Sequence, residues 1–189
     1  AGEVVERPAH VVKELVENAL DAGATAITVS LKDAGRTLIR IVDNGCGMAP
    51  DDAALCFQTH ATSKISSIED LTTVATFGFR GEALASIAAI SNVTLRTKEA
   101  ELPDDALGTM ITCSQNTIQT NTPVACPVGT DISVEDLFFN TPVRKKFLKQ
   151  DQTEWNVVAT VINAFGLSHP SVHFKLYHND VLMLNAPPV

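Results

Sequence analysis

Several features that would place this chain in a familiar class are missing from it. It has no G-x-x-x-x-G-K-[ST] run, which excludes the common phosphate-binding loop. Its four cysteines form no C-x-x-C pair, so we expect small buried thiols in a reducing compartment rather than a zinc or disulfide framework. No apolar run approaches the length of a membrane span. The net charge of -8 has the opposite sign to that of a strong autonomous nucleic-acid binder.

The remaining composition is that of a globular domain. A length of 189 residues with 45% hydrophobic residues fits one domain with a real core. The chain begins at Ala1 rather than Met, and we expect a fragment of a longer protein. Periodicity predicts helices at residues 8–22, 50–57, 68–74, 82–90, 142–149 and 154–167. Alternation predicts strands at residues 27–31, 38–42, 93–98, 108–114, 117–120, 130–137, 172–178 and 181–184, which together favour an α+β sandwich.

The most informative segment is the first predicted helix, which carries Glu14, Asn18 and Asp21. Residues four apart share a helix face, so Glu14 and Asn18 point the same way, and Asp21 follows one turn on. This row of carboxylate, amide and carboxylate suits water activation beside Mg²⁺. That ion prefers hard oxygen ligands and keeps several of its waters.

A second motif follows the predicted strand at residues 38–42, which runs into Asp43, Gly45 and Gly47. Glycines let the backbone approach a ligand closely, and a carboxylate at this point can accept from an exocyclic amine. Together the two segments predict an ATP site. A dinucleotide-binding fold is disfavoured, because Pro50 stands where its fingerprint requires a third glycine.

Two further segments favour phosphate binding. Residues 78–81 open a predicted helix, whose free N–H groups and positive dipole end attract anions. Lys64 could add a point charge from the polar loop before it. Because residues 59–79 are polar and lack apolar periodicity, we expect them to be mobile without nucleotide.

These motifs occur together in one known family. The shared nucleotide motifs are Glu14-x-x-x-Asn18, Asp43-x-Gly45-x-Gly47, the segment at 78–81 and Gly129-Thr130. Longer stretches at residues 1–8, 60–64, 78–87, 136–142 and 144–147 are more specific. On these residues the chain resembles the N-terminal ATPase domain of the MutL family of DNA mismatch repair proteins. That family belongs to a superfamily with DNA gyrase B, Hsp90 and histidine kinases.

The resemblance implies a role for each matching residue. Glu14 would be the general base that polarises the attacking water, and Asn18 would bind Mg²⁺. Asp43 would accept from the adenine amino group, with Thr130 assisting through a water. The other residues that the resemblance places around ATP, including the lid at 62–64 and 79–84, are Asp21, Ala22, Gly45, Gly47, Met48, Thr62, Ser63, Lys64, Gly78, Phe79, Arg80, Gly81, Glu82, Ala83 and Leu84.

The resemblance also implies the architecture and its setting. We expect residues 1–189 to form one ATP-binding domain of Bergerat type, a two-layer sandwich with a mostly antiparallel mixed sheet and helices on one face. A short N-terminal segment, a second domain with a lysine that reaches the γ-phosphate, and a C-terminal dimerisation domain would lie outside it. We expect a cytoplasmic, nucleoid-associated bacterial protein, or a nuclear one if the source is eukaryotic.

The implied function is ATP binding with slow Mg²⁺-dependent hydrolysis, which drives conformational switching and self-dimerisation. The implied partners are a mismatch-recognition protein of MutS type, a downstream endonuclease or helicase and, weakly, DNA. The basic cluster at residues 144–149 could touch DNA phosphates, although a solvated face suits the acidic chain better. The alternative is a nucleotide-gated binding module whose output is recruitment rather than hydrolysis.

Overall fold

The structure is a computed structural model, and it describes residues 4–58 and 81–189. The helices are α1 (Pro8–Asp21), α2 (Pro50–Leu55), α3 (Gly81–Ala88), α4 (Pro142–Phe147) and α5 (Asp151–Ser168), with a short 3-10 helix at Asp33–Gly35. The strands are β1 (Ala26–Lys32), β2 (Leu38–Asp43), β3 (Asn92–Lys98), β4 (Gly108–Ser114), β5 (Thr117–Val124), β6 (Gly129–Glu135), β7 (His173–His178) and β8 (Val181–Ala186). Within these ranges no helix is both long and apolar enough to cross a membrane.

The strands form one eight-stranded sheet in the order β5-β4-β3-β6-β2-β1-β7-β8. Neighbours pair antiparallel except β1 and β7, which run parallel. Strand β6 arises late in the chain but lies between β2 and β3, near the middle of the sheet. The mostly antiparallel mixed sheet that the sequence predicts is therefore confirmed.

The core lies between one face of this sheet and the helices. In β1, Ile27, Val29 and Leu31 are buried while the residues between them are partly exposed. The same alternation runs along β2, β3 and β7. The buried side chains of the sheet join those of α1, α2, α3 and α5 in one hydrophobic cluster. An α+β sandwich with its helices packed on one face follows, as predicted.

Helix α1 forms one wall of the site, and its limits follow from its sequence. Pro8 lies in the first turn, where a missing N–H removes no intrahelical bond. Gly23 follows the last turn with a φ of +77, a left-handed conformation that glycine adopts without strain. The buried residues that fasten the helix to the core are Pro8, Ala9, Val11, Val12, Leu15, Val16 and Ala19.

The strand register brings polar side chains into one row across an end of the sheet. Asp43 of β2 pairs with Thr130 of β6, Thr130 pairs with Thr97 of β3, and Thr97 pairs with Thr109 of β4. Directly paired residues of neighbouring strands point to the same face. Thr97 and Thr109 are buried, so this row lies at the border of the core beneath the helices.

Several element boundaries differ from the sequence prediction. Strand β5 extends to Val124 rather than to residue 120, because it pairs with β4 along its whole length. Helix α4 ends at Phe147 rather than residue 149, since Leu148 is extended with a ψ of 137. Helix α5 begins at Asp151 rather than residue 154. An acidic side chain is favourable in that first turn because it faces the positive end of the helix dipole.

The four cysteines are free thiols, but their burial differs from the prediction. Cys113 is buried, Cys56 and Cys126 are partly buried, and Cys46 is exposed. The expectation of a buried thiol is therefore wrong for Cys46. Its neighbours Gly45 and Gly47 are buried instead, because that loop packs through its glycine backbone and turns the side chain between them outward.

Candidate functional site

A cavity of about 300 Å³ opens beside the end of the sheet that carries Asp43. Helix α1, the loop after β2, helix α3 and strand β6 each contribute to its wall. The lining residues are Leu15, Asn18, Ala19, Asp21, Ala22, Gly23, Ile41, Asp43, Cys46, Gly47, Met48, Cys56, Leu84, Thr130 and Ile132. The wall is apolar over most of its surface, with a few convergent polar groups, which is the usual character of a small-molecule site.

Eight of the residues expected around ATP lie in this wall. They are Asn18, Asp21, Ala22, Asp43, Gly47, Met48, Leu84 and Thr130. Four other residues expected around ATP lie on the same elements but do not line the cavity; they are Glu14, Gly45, Glu82 and Ala83. Gly81 begins α3. The expected lid residues Thr62, Ser63, Lys64, Gly78, Phe79 and Arg80 fall outside the described residues, as does the predicted helical segment at 68–74.

Asp43 combines burial with two backbone donors. The N–H of Gly45 donates to Asp43 Oδ1 at 2.8 Å. Burial raises the pKa of this carboxyl to about 6, while the backbone N–H groups of Gly45 and Thr130 act in the opposite direction. Near neutral pH Asp43 is therefore largely an ionised carboxylate with little water around it, which favours a donor from a bound ligand.

The raised pKa of Asp43 predicts a pH dependence of stability. Folding disfavours the charged form, so the free energy of unfolding should fall relative to that of Asp43→Asn as the pH rises from about 4 to about 6. Above that range the difference should level off, having changed by roughly 3 kcal/mol. Denaturant unfolding of both proteins at a series of pH values measures it. If the free energies of unfolding of the two proteins differ by a constant amount across this pH range, the raised pKa of Asp43 is contradicted.

Two glycines are required here by contacts within the protein. Gly47 has a φ of +69, and a Cβ added to it would lie 2.0 Å from the backbone oxygen of Lys98. Gly129 has a φ of +117, and a Cβ there would lie 2.1 Å from the backbone oxygen of Asp43. No side chain fits at either distance. The glycines thus let the loop after β2 lie directly against β3 and β6, which places Asp43 at the cavity.

Asn18 supplies a buried oxygen to the cavity wall. Its Oδ1 is buried and has no hydrogen-bond partner among the described residues. A buried polar atom left unpaired is unfavourable, so such an atom in a cavity wall is suited to a ligand. The described part of the chain contains no group of three or more histidine, cysteine, aspartate or glutamate residues that could hold a metal ion by themselves. A hydrated Mg²⁺ fits this site, because it needs few protein ligands and prefers oxygen.

Sequence motifs did not identify Thr97, although it is central to the polar row. Its Oγ1 lies 3.0 Å from the Met48 nitrogen, 3.0 Å from the Gly129 oxygen and 3.0 Å from Thr130 Oγ1. Thr97 is 1% exposed. The alternation of β3 could have shown that it faces the core, but only the register shows that it contacts Thr130.

The cavity also contains two thiols of different character. Cys56 Sγ lies 3.4 Å from Met48 Sδ, and burial raises the pKa of the thiol to about 11. Cys56 therefore stays protonated at physiological pH and contributes as a small apolar group. Cys46 reaches the cavity from the exposed side of the loop.

Comparison with known proteins gives a family match and several relatives. Residues 6–133 match the family described as histidine kinase-, DNA gyrase B-, and HSP90-like ATPase. DNA mismatch repair protein MutL of Chlorobaculum tepidum is 50% identical over 95% of this chain and 28% of that protein. MutL of Parabacteroides distasonis is 50% identical over 99% of this chain and 30% of that protein. The chain thus spans less than a third of the length of these relatives.

Solved structures share the architecture. The MutL ATPase domain of Aquifex aeolicus, complexed with ADP, superposes with a TM-score of 0.79 at 35% identity, over 98% of this chain and 65% of that one. The topoisomerase IV ATP-binding domain of Francisella tularensis superposes with a TM-score of 0.61 at 16% identity, over 97% of this chain and 88% of that one. The second likeness concerns the fold alone.

Proposed function

Because the chain belongs to the histidine kinase-, DNA gyrase B- and HSP90-like ATPase family, we propose that its cavity binds ATP with Mg²⁺ and supports slow hydrolysis. The similarity to MutL ATPase domains extends over nearly the whole chain. The observation that carries the proposal is the pairing of two polar groups in one apolar cavity. Asn18 presents an oxygen that has no partner in the described part of the chain, and Asp43 presents a desolvated carboxylate.

The adenine end of the ligand is assigned to the sheet side of the cavity. Asp43 accepts a hydrogen bond from the exocyclic amine, and Thr130 lies beside it in the strand register. Ile41, Met48 and Ile132 supply apolar surface for the face of a purine ring. This combination suits a flat aromatic base with an amino group on its edge.

The phosphate end is assigned to α1 and to the start of α3. Asn18 would hold Mg²⁺ through its buried Oδ1, and the N-terminal residues Gly81, Glu82 and Ala83 of α3 would face the phosphates. When bound, Mg²⁺ neutralises charge that develops on the phosphate oxygens. Glu14 lies one helical turn before Asn18 and would accept the proton of the attacking water.

In the longer protein we propose that residues 1–189 are the nucleotide-responsive domain. Residues 62–64 and 79–84 would close over the phosphates and couple the nucleotide state to self-dimerisation. A second domain would supply a lysine to the γ-phosphate. Recruitment of a MutS-type protein, and of an endonuclease or helicase, would follow from that dimer. DNA contact would be weak, because this domain is acidic overall.

Binding is tested by titration with a non-hydrolysable ATP analogue, with Mg²⁺ and with a chelator. We expect saturable binding that is tighter with Mg²⁺, since the metal would join Asn18 to the phosphates. Sizing by gel filtration at each end point then shows whether the fragment also dimerises. A folded protein without saturable binding in either condition would contradict the proposed function.

A further inference from the structure

We infer that Lys98 is a positioning residue for the nucleotide, because its ammonium fastens the loop between β3 and β4 against the loop after β2. This inference rests on the proposed function, since it concerns how tightly the same nucleotide is held. Lys98 is the last residue of β3, and the β3–β4 loop is residues 99–107. No nucleotide motif in the sequence includes either of them.

The Lys98 side chain is buried although it carries a charge. The residue is 3% exposed, and its Nζ donates to the backbone oxygen of Asp104 at 3.1 Å. Within residues 4–58 and 81–189 no carboxylate forms an ion pair with it. Burying an ammonium is unfavourable unless hydrogen bonds compensate it, so the bond to Asp104 stabilises this placement of the side chain.

That hydrogen bond closes the β3–β4 loop on itself. The loop contains two tight turns, at residues 99–102 and 103–106, each closed by its own backbone hydrogen bond. Asp104 belongs to the second turn and follows Lys98 by six residues. Lys98 therefore ties the second turn back to the end of β3, which the short-range bonds within each turn do not do.

The β3–β4 loop in turn holds the loop after β2. The Ala100 N–H donates to the backbone oxygen of Cys46 at 3.0 Å. The Cys46 N–H donates to the backbone oxygen of Ala22, just after α1, at 2.9 Å. The backbone of Cys46 is thus bonded on both sides. Cys46, Gly47 and Met48 all line the cavity, so these bonds fix part of its wall.

The loop after β2 has no room to move toward β3. A Cβ on Gly47 would lie 2.0 Å from the backbone oxygen of Lys98, so the two backbones are already in close contact. The remaining freedom is movement away from β3, and the bond from Ala100 to Cys46 opposes it. Without that bond the loop gains conformations that a bound nucleotide must remove, which lowers affinity.

The test measures binding of a non-hydrolysable ATP analogue to the 189-residue chain by calorimetry, with Mg²⁺ and with a chelator. Lys98→Met keeps the length of the side chain but removes the donor, and affinity should fall about tenfold in both conditions. The factor by which Mg²⁺ tightens binding should stay the same, because the proposed metal ligand Asn18 lies on α1. Lys98→Arg keeps a charged donor and should retain most of the affinity.

Lys175→Met is the matched control, because it removes the same charge from another strand. Lys175 lies in β7 between the buried residues Phe174 and Leu176, and it does not line the cavity. Its replacement should leave affinity for the analogue at the wild-type value. A tenfold loss in this variant as well would show that net charge, and not the contact of Lys98, sets affinity.

Hydrogen exchange of the Ala100 amide without nucleotide tests the contact itself. This amide should be protected in the wild type and exchange faster in Lys98→Met. Unchanged affinity in folded Lys98→Met, or an altered Mg²⁺ factor, overturns the inference. Should Lys98→Met fail to fold, Ala100→Pro deletes the N–H at an exposed position and should lower affinity similarly; wild-type affinity there also overturns it.

The two measurements separate this inference from the proposed function. A wild type that binds the analogue but leaves the Ala100 amide unprotected contradicts the role of Lys98 alone. A folded wild type that protects this amide but binds no analogue in either condition contradicts the proposed function, and with it the role of Lys98 in nucleotide binding.

Discussion

Replacing Glu14 with alanine is expected to slow ATP hydrolysis by about 10²–10⁴-fold while leaving ATP and Mg²⁺ binding intact. Glu14 lies one turn before Asn18 on α1 and is not among the residues that line the cavity. It can therefore orient a water near the γ-phosphate without bonding the nucleotide. Phosphoryl transfer depends mainly on positioning and charge stabilisation, so loss of the water-orienting group should affect rate rather than affinity.

Two further variants on the same helix isolate this effect. Asn18→Ala should weaken Mg²⁺-dependent binding, because it removes the buried side-chain oxygen proposed as the metal ligand. Glu17→Ala, which alters a neighbouring carboxylate, should leave turnover unchanged. Rates are best compared in a longer protein that carries the proposed second domain and its lysine. If Glu14→Ala turned over at the parental rate there, the base would be another group, and Glu17 would be the next to test.

The same comparison distinguishes hydrolysis from recruitment as the output of this domain. A Glu14→Ala protein that binds ATP but hydrolyses it slowly remains in the nucleotide-bound state. If partner recruitment by that protein persists at full strength, the nucleotide acts as a gate and hydrolysis resets it. If recruitment is lost together with turnover, hydrolysis itself is required.

Asp43→Asn is expected to lower the affinity for adenine nucleotides by about 10- to 100-fold without unfolding the protein. The amide can keep the bond from the Gly45 nitrogen by accepting through its oxygen, so the loop can hold its conformation. Its NH₂ group then faces the cavity, where the adenine amine requires an acceptor. Binding of the non-hydrolysable ATP analogue, measured by calorimetry, gives the change directly.

Asp131 offers a matched control for Asp43→Asn. Asp131 lies at the same end of the sheet, but in the strand register it pairs with Val42. Its carboxylate accepts hydrogen bonds from Arg40 on the opposite face of the sheet. Asp131→Asn removes the same charge and should leave nucleotide affinity unchanged. Wild-type affinity in a folded Asp43→Asn protein would show that the base is recognised elsewhere.

Much of the fold is predictable because its signals are local. Pro8 and Gly23 mark the limits of α1, and its buried residues recur with helical spacing. Alternation marks the strands, and Asn179-Asp180 marks the last hairpin, where both residues have positive φ. Each of these features depends on residues a few positions apart, which a single sequence displays directly.

The rest depends on pairing between distant segments. No local pattern states that β6 lies between β2 and β3, and this placement alone brings Thr97 and Thr130 together. The requirement for glycine at residue 129 has the same origin, because the obstacle to a side chain is the backbone oxygen of Asp43. The motifs indicated Asn18 and Asp43 as site residues. The contacts that hold the site in place could be identified only from the pairing of distant strands.

The parallel pairing of β1 with β7 has a consequence for biosynthesis. Residues 26–31 are hydrogen-bonded on one side to residues 173–178, which are translated much later. At about 5–20 residues per second, β1 waits on the order of ten seconds for that partner. During this interval its open edge is available to other chains, a recognised hazard for unpaired strands. The cavity-lining residues all precede β7, so on the ribosome the site can assemble before the edge of the sheet is covered.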